Sequence, residues 1–74
     1  MTSSEKKIKM PSTVIAKHIY HPDTETLRII YTSGNIYDYL KVPQEIYDEM
    51  LAAFSKGIFL NMRIKGVYEF VNVR

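Results

Sequence analysis

The apolar positions along this chain change period twice. From Thr13 to Tyr20 the β-branched Val14, Ile15 and Ile19 describe a first strand, closed by the turn-forming run His21-Pro22-Asp23-Thr24. Leu27 to Tyr31 and Ile36 to Leu40 are two further strands, and the Thr32-Ser33-Gly34 segment between them makes a hairpin. A two-residue Gly34-Asn35 turn would set Tyr31 opposite Asp38. A three-residue Thr32-Ser33-Gly34 loop, with Gly34 left-handed, instead pairs Ile29 with Tyr37 and Leu27 with Tyr39. The second register is preferred, because it gathers Leu27, Ile29, Tyr37 and Tyr39 on one face and sets Arg28 opposite Asp38 on the other. That other face also carries Ile30, Ile36 and Leu40, more apolar surface than a solvated face needs. Cover from the first strand or from a partner subunit is expected there.

After Val42 the period lengthens. Pro43 is preorganised for the first helical position and Glu45 suits the positive end of a helix dipole, so a helix is expected from Pro43 to about Ser55. Ile46, Tyr47, Met50, Leu51 and Phe54 fall on one stripe of it, with Glu45, Asp48, Glu49 and Ala52 turned away. Gly57 reads as the terminator, Ile58 to Ile64 as a second short helix, and Gly66 as its break. Val67 to Val73 alternates, with Val67, Glu69, Val71 and Val73 on one side and Tyr68, Phe70 and Asn72 on the other. The expected fold class is therefore α+β: an antiparallel three-stranded meander packed by one amphipathic helix, then a short second helix and a C-terminal strand.

At 74 residues the chain is near the size at which one core gives little net stability, so self-association into a homo-oligomer is expected. Residues 1–10 are polar and read as a disordered tail, and 11–74 as a single domain. The absence of cysteine removes disulfides, thiolate metal sites and a cysteine nucleophile, which fits a cytoplasmic setting. Neither a signal peptide nor a run of about 20 apolar residues is present, so no membrane partner is expected. The net charge of +2 argues nothing alone, but its distribution is uneven. Residues 56–74 carry Lys56, Arg63, Lys65 and Arg74 against Glu69, whereas residues 44–51 carry Glu45, Asp48 and Glu49 with no cation.

The ordered spacing resembles the KTSC domain, a small module named for its place at the C-terminus of some lysyl-tRNA synthetases. The residues that carry the match are Ser12, Ile15, Tyr20, Leu27, Ile29, Tyr31 and Gly34, then Tyr37-Asp38-Tyr39 with Val42-Pro43. They continue through Tyr47, Leu51, Ser55, Gly57, Phe59, Asn61, Ile64 and Tyr68, so that the resemblance spans roughly Pro11 to Arg74. Leu60 departs from it, standing where family members often carry a second aromatic beside Phe59. The resemblance implies RNA as a partner through its attachment to a tRNA enzyme, and it implies no established activity.

Candidate chemistry follows from these placements. Lys56, Arg63 and Lys65, with Asn61 and Tyr68 near two glycines, form a candidate nucleic-acid-binding surface or else a solvated basic face. Tyr37 and Tyr39 fit either base stacking or the core under the helix stripe. His18, His21 and Asp23 superficially resemble a metal site, but strand residues three apart point to opposite faces. No serine lies in a nucleophile motif, so neither catalysis nor a cofactor or small-molecule substrate is expected. The leading expectation is a non-catalytic nucleic-acid-binding module, RNA favoured. The alternative is a protein-protein interaction or self-associating module.

Overall fold

Antiparallel pairing of neighbours in sequence accounts for the whole sheet in a computed structural model that describes residues 15–74. Strand β1 (Ile15–His21), β2 (Thr26–Tyr31), β3 (Ile36–Tyr39) and β4 (Phe70–Asn72) lie in that order. Helix α1 (Gln44–Ala52) follows β3, and a short α2 (Lys56–Phe59) runs on into a π-helical turn (Leu60–Ile64). The fold is thus α+β with a four-stranded sheet, and the C-terminal strand joins the meander beside β3. The proposed tail and the start of the first strand lie outside the described residues.

The hairpin takes the three-residue register. Leu27 pairs with Tyr39, Arg28 with Asp38, Ile29 with Tyr37 and Ile30 with Ile36. Tyr31 and Asn35 close the loop through an N–H to carbonyl bond of 2.9 Å, and the Gly34 N–H returns to the Tyr31 carbonyl at 2.9 Å. Gly34 has φ +100°, where a β-carbon is strained, so the glycine decides the loop type. On the outer face Arg28 grips Asp38 with Nε and one terminal nitrogen, at 2.8 and 3.0 Å. This two-point bond is what a planar guanidinium makes with a carboxylate. It holds the Asp38 carboxyl below its ordinary pKa.

Core residues come from both layers. Leu27, Ile29, Tyr39, Val42, Met50, Leu60 and Ile64 are buried, with Tyr20, Tyr31, Tyr37, Ile46, Tyr47, Phe59 and Tyr68 packed around them. Both helical segments therefore press on the face of the sheet that holds Leu27 and Ile29. Among the described residues no element lies over the reverse face, where Ile19, Ile30, Ile36 and Leu40 are half-buried and Val71 is exposed. The first strand does not cover that face. It extends the sheet edgewise by pairing with β2.

Three expectations about the helices need correction. Pro43 caps α1 from outside the helix, and α1 ends at Ala52 because Ala53 turns extended at φ −71°, ψ 146°. Phe54 leaves the stripe in consequence and is fully exposed, and Leu51 sits at its outer margin, 44% exposed. Gly57 is no terminator. The Ser55 hydroxyl caps α2 by accepting the Ile58 N–H at 3.2 Å, and Gly57 is buried inside that turn. The break attributed to Gly66 does occur, with φ +79° there.

Replacing Gly34 with Val should lower stability by about 1–2 kcal/mol, because a β-branched residue is forced left-handed. Thermal unfolding followed by circular dichroism checks this, and an unchanged melting temperature would count against the loop assignment.

Candidate nucleic-acid interface

The five polar and aromatic candidates of the C-terminal third are carried by one continuous helical run and the turn after it. Lys56 opens α2, Asn61 and Arg63 sit on the π-helical turn, and Lys65 and Tyr68 follow it. The π-turn is defined by the Lys65 N–H bonding the Leu60 carbonyl, five residues back, at 2.8 Å. The wider loop lets Leu60 and Ile64 both enter the core while Asn61, Met62 and Arg63 remain outside. Asn61 and Lys65 are exposed and Tyr68 is half-buried against the core. Lys56 and Lys65 stand at opposite ends of the run, on the order of 13 Å apart at the helical rise per residue.

Arg63 is already engaged. Its guanidinium is 3.1 Å from the Glu49 carboxylate of α1 and lies 5.2 Å from the centre of the Phe59 ring. Both charged side chains are about half exposed, so the pair is worth little to stability, but it offsets the arginine's charge locally. Beside it, Phe54, Ile58, Phe59 and Met62 line an apolar groove of about 460 Å³.

The two tyrosines of the third strand have different fates. Tyr39 is 1% exposed, its hydroxyl hydrogen-bonded to that of Tyr31 at 3.2 Å, and burial pushes its pKa well up. A base cannot reach it, so its candidacy for stacking is corrected to a core role. Tyr37 shares the face but lies two residues nearer the hairpin loop. It is half-buried, stacked on Phe70 with ring centres 4.9 Å apart, and met edge-on by Tyr31 at 5.4 Å.

His18 stands on the helix-covered face, where Nδ1 is 3.0 Å from the Tyr47 hydroxyl and the rings meet edge-on at 5.7 Å. Tyr47 in turn stacks on Tyr20 at 4.7 Å. Burial, and then the nearby Lys56 ammonium, lower the His18 pKa. His21 is exposed at the last position of β1, and among the described residues no His, Asp or Glu group gathers as a metal site. The contact of His18 with α1, and the Phe70 and Asn72 side of the last strand, were not singled out from sequence. Only the alternation of Tyr68, Phe70 and Asn72 pointed to the second.

Comparison with known proteins gives a consistent picture. The family model described as the KTSC domain matches residues 11–68. A lysine–tRNA ligase of Nostoc punctiforme is 38% identical over 63 residues, covering 85% of this chain and 11% of that protein. One from Nostoc sp. is 36% identical over the same length, so the chain spans about a tenth of these relatives. The crystal structure of a KTSC domain protein from Yersinia pestis superposes with a TM-score of 0.79 at 33% identity. That match covers 85% of this chain and 89% of the other.

A lowered histidine pKa means that the unfolded chain binds the proton more readily. The stability contributed by neutral His18 is complete above about pH 6.5 and is lost as the pH falls through that value toward the folded pKa. The melting temperature should therefore fall between pH 7 and pH 5. In His18→Gln, which keeps a hydrogen-bonding group without titrating, the fall should be shallower, and equal slopes would remove His18 as its source.

Proposed function

This chain belongs to the KTSC domain family, and we propose that it is a non-catalytic nucleic-acid-binding module with RNA as the favoured ligand. The observation that carries the reading is the 63-residue segment it shares with ligases that act on tRNA. Physical support comes from the helical run. Lys56 and Lys65 place ammonium groups at its two ends, and exposed Asn61 adds a hydrogen-bonding amide between them. Such groups suit contacts to phosphate and sugar, which position a strand without reading its sequence. An RNA ligand fits a cytoplasmic setting. No helix among the described residues is long and apolar enough to cross a membrane.

A second reading, a protein-interaction or self-associating module, is favoured by the reverse face with Ile19, Ile30, Ile36 and Leu40, over which no element lies among the described residues. It is separable by experiment. If that face pairs two copies, sedimentation at micromolar concentration should show a dimer that Ile36→Lys converts to monomer. A monomeric wild-type protein would remove self-association and leave only a different protein as the partner of that face.

For the nucleic-acid reading, Lys56→Gln and Lys65→Gln should each weaken binding to single-stranded RNA and reduce the salt slope by roughly one charge. Arg63→Gln should change the slope less, because Glu49 already offsets that charge. Fluorescence anisotropy over a salt series measures all three. A folded Lys56→Gln/Lys65→Gln variant that binds RNA as the wild type does, with the same slope, would move the assignment to the second reading.

A further inference from the structure

The last strand carries a stack of rings with one end unfilled. Tyr39 and Tyr31 are tied by their hydroxyls, Tyr31 braces Tyr37 edge-on, and Tyr37 stacks against Phe70 at 4.9 Å with only 22° between the rings. Each of these tyrosines is fixed against the core, but Phe70, at the sheet edge, is 51% exposed. Asn72 follows at two-residue spacing opposite Tyr37, so it shares the side of the strand that holds Phe70, while Glu69 and Val71 fall on the other, and Arg74 lies just past the strand end. Asn72 and Arg74 are both exposed.

The backbone beneath them is fastened. Val73 N–H bonds the Ile36 carbonyl at 2.7 Å, and Arg74 bonds the same residue through both its N–H and its carbonyl, at 3.3 Å each. Asn72 Oδ1 also accepts the Arg74 N–H at 3.1 Å, so its carboxamide NH2 is the group left to meet a ligand. It has no partner among the described residues.

We propose that this edge is the base-binding shelf of the domain: an unpaired nucleobase stacks on the outer face of Phe70, Asn72 donates to an acceptor on its edge, and Arg74 pairs with a neighbouring phosphate. The proposal rests on the nucleic-acid reading above and names the part of the ligand taken. Aromatic stacking is tolerant of base identity because every base has a π-face, and every base also offers a carbonyl or ring-nitrogen acceptor to an amide donor. A base inside a duplex is already stacked on both sides, so the shelf selects single strands and loops. The anionic Glu69 lies on the opposite face of the strand from Phe70 and Asn72. The exposed Phe70 therefore has a role beyond packing.

The test uses fluorescein-labelled octauridine and octaadenosine with a blunt RNA duplex as competitor, followed by anisotropy. Both single strands should bind better than the duplex. Phe70→Leu should weaken single-strand binding by roughly tenfold with the salt slope unchanged, while Phe70→Tyr should retain it. Arg74→Gln should lower the slope by about one, and Val71→Thr, on the other face, should do neither. Because Phe70→Leu could disturb β4, the wild-type protein is also titrated with octauridine by amide NMR. Shifts concentrated on Tyr37 and residues 70–74 support the shelf. Tight RNA binding with shifts confined to Lys56 and Asn61, or a folded Phe70→Leu that binds as the wild type does, overturns the shelf and leaves the general reading standing. No binding of any RNA by the wild type overturns both.

Discussion

The attachment of Val42 to the far end of the sheet is the constraint on which the two-layer arrangement depends. The Tyr20 hydroxyl donates to the Val42 carbonyl at 2.6 Å, and the Val42 N–H donates to the carbonyl of Glu25 at 2.8 Å. Val42 itself is fully buried, so both of its backbone groups need partners inside the protein. To reach this position the chain passes Lys41 at φ +58° and meets a turn whose Glu25 also stands at φ +53°. Two unfavourable backbone angles are accepted where three groups lock together. Once Val42 is held, Pro43 aims α1 back across the sheet, and Tyr47 lands flat on the ring of the same Tyr20. One tyrosine thus sets both where the crossing begins and where the helix settles. Leaving that carbonyl unbonded would cost about 1–3 kcal/mol, a large share of what a domain this small has.

Everything proposed about ligand contact is built on this crossing. With α1 held over β1 and β2, the helical run that follows closes the core with Leu60 and Ile64. At the sheet edge the Tyr37 and Phe70 rings remain only partly covered. The acidic side of α1 reaches the run at one described ion pair, Glu49 with Arg63. Cations are therefore offset where Glu49 meets Arg63, and Lys56 and Lys65 have no ion-pair partner among the described residues.

How much of this could be read from sequence depends on how local each determinant is. The hairpin was legible because two independent signals agree, a glycine that alone tolerates the loop and opposite charges that meet in one register only. The end of α1 was not. Ala53 is a good helix former and Phe54 continues the apolar period, so nothing local announces the break. It arises because Ser55 caps a new turn and Gly57 must pack inside it. The π-turn was hidden for a similar reason, since its extra residue is decided by the need to bury both Leu60 and Ile64. For the site, the alternation placed Tyr37 and Tyr39 on one face correctly but could not say which lay under the helices. The basic character of the C-terminal third was evident, whereas the engagement of Arg63 by Glu49 was not, because it joins residues from separate elements.

The tyrosine-lined seam between the layers has a consequence at the alkaline end of the pH scale. Burial is the chief cause that raises the pKa of Tyr20, Tyr31, Tyr39 and Tyr47 above 10.0. A phenol whose folded pKa is raised contributes stability that is complete below its unfolded pKa and drains away as the pH climbs through the folded one. The four contribute in the same direction, because burial disfavours the phenolate in the stacked pair Tyr20 and Tyr47 and in the hydroxyl-linked pair Tyr31 and Tyr39. The seam is therefore an alkaline fuse: the stability that these neutral phenols contribute drains away in base.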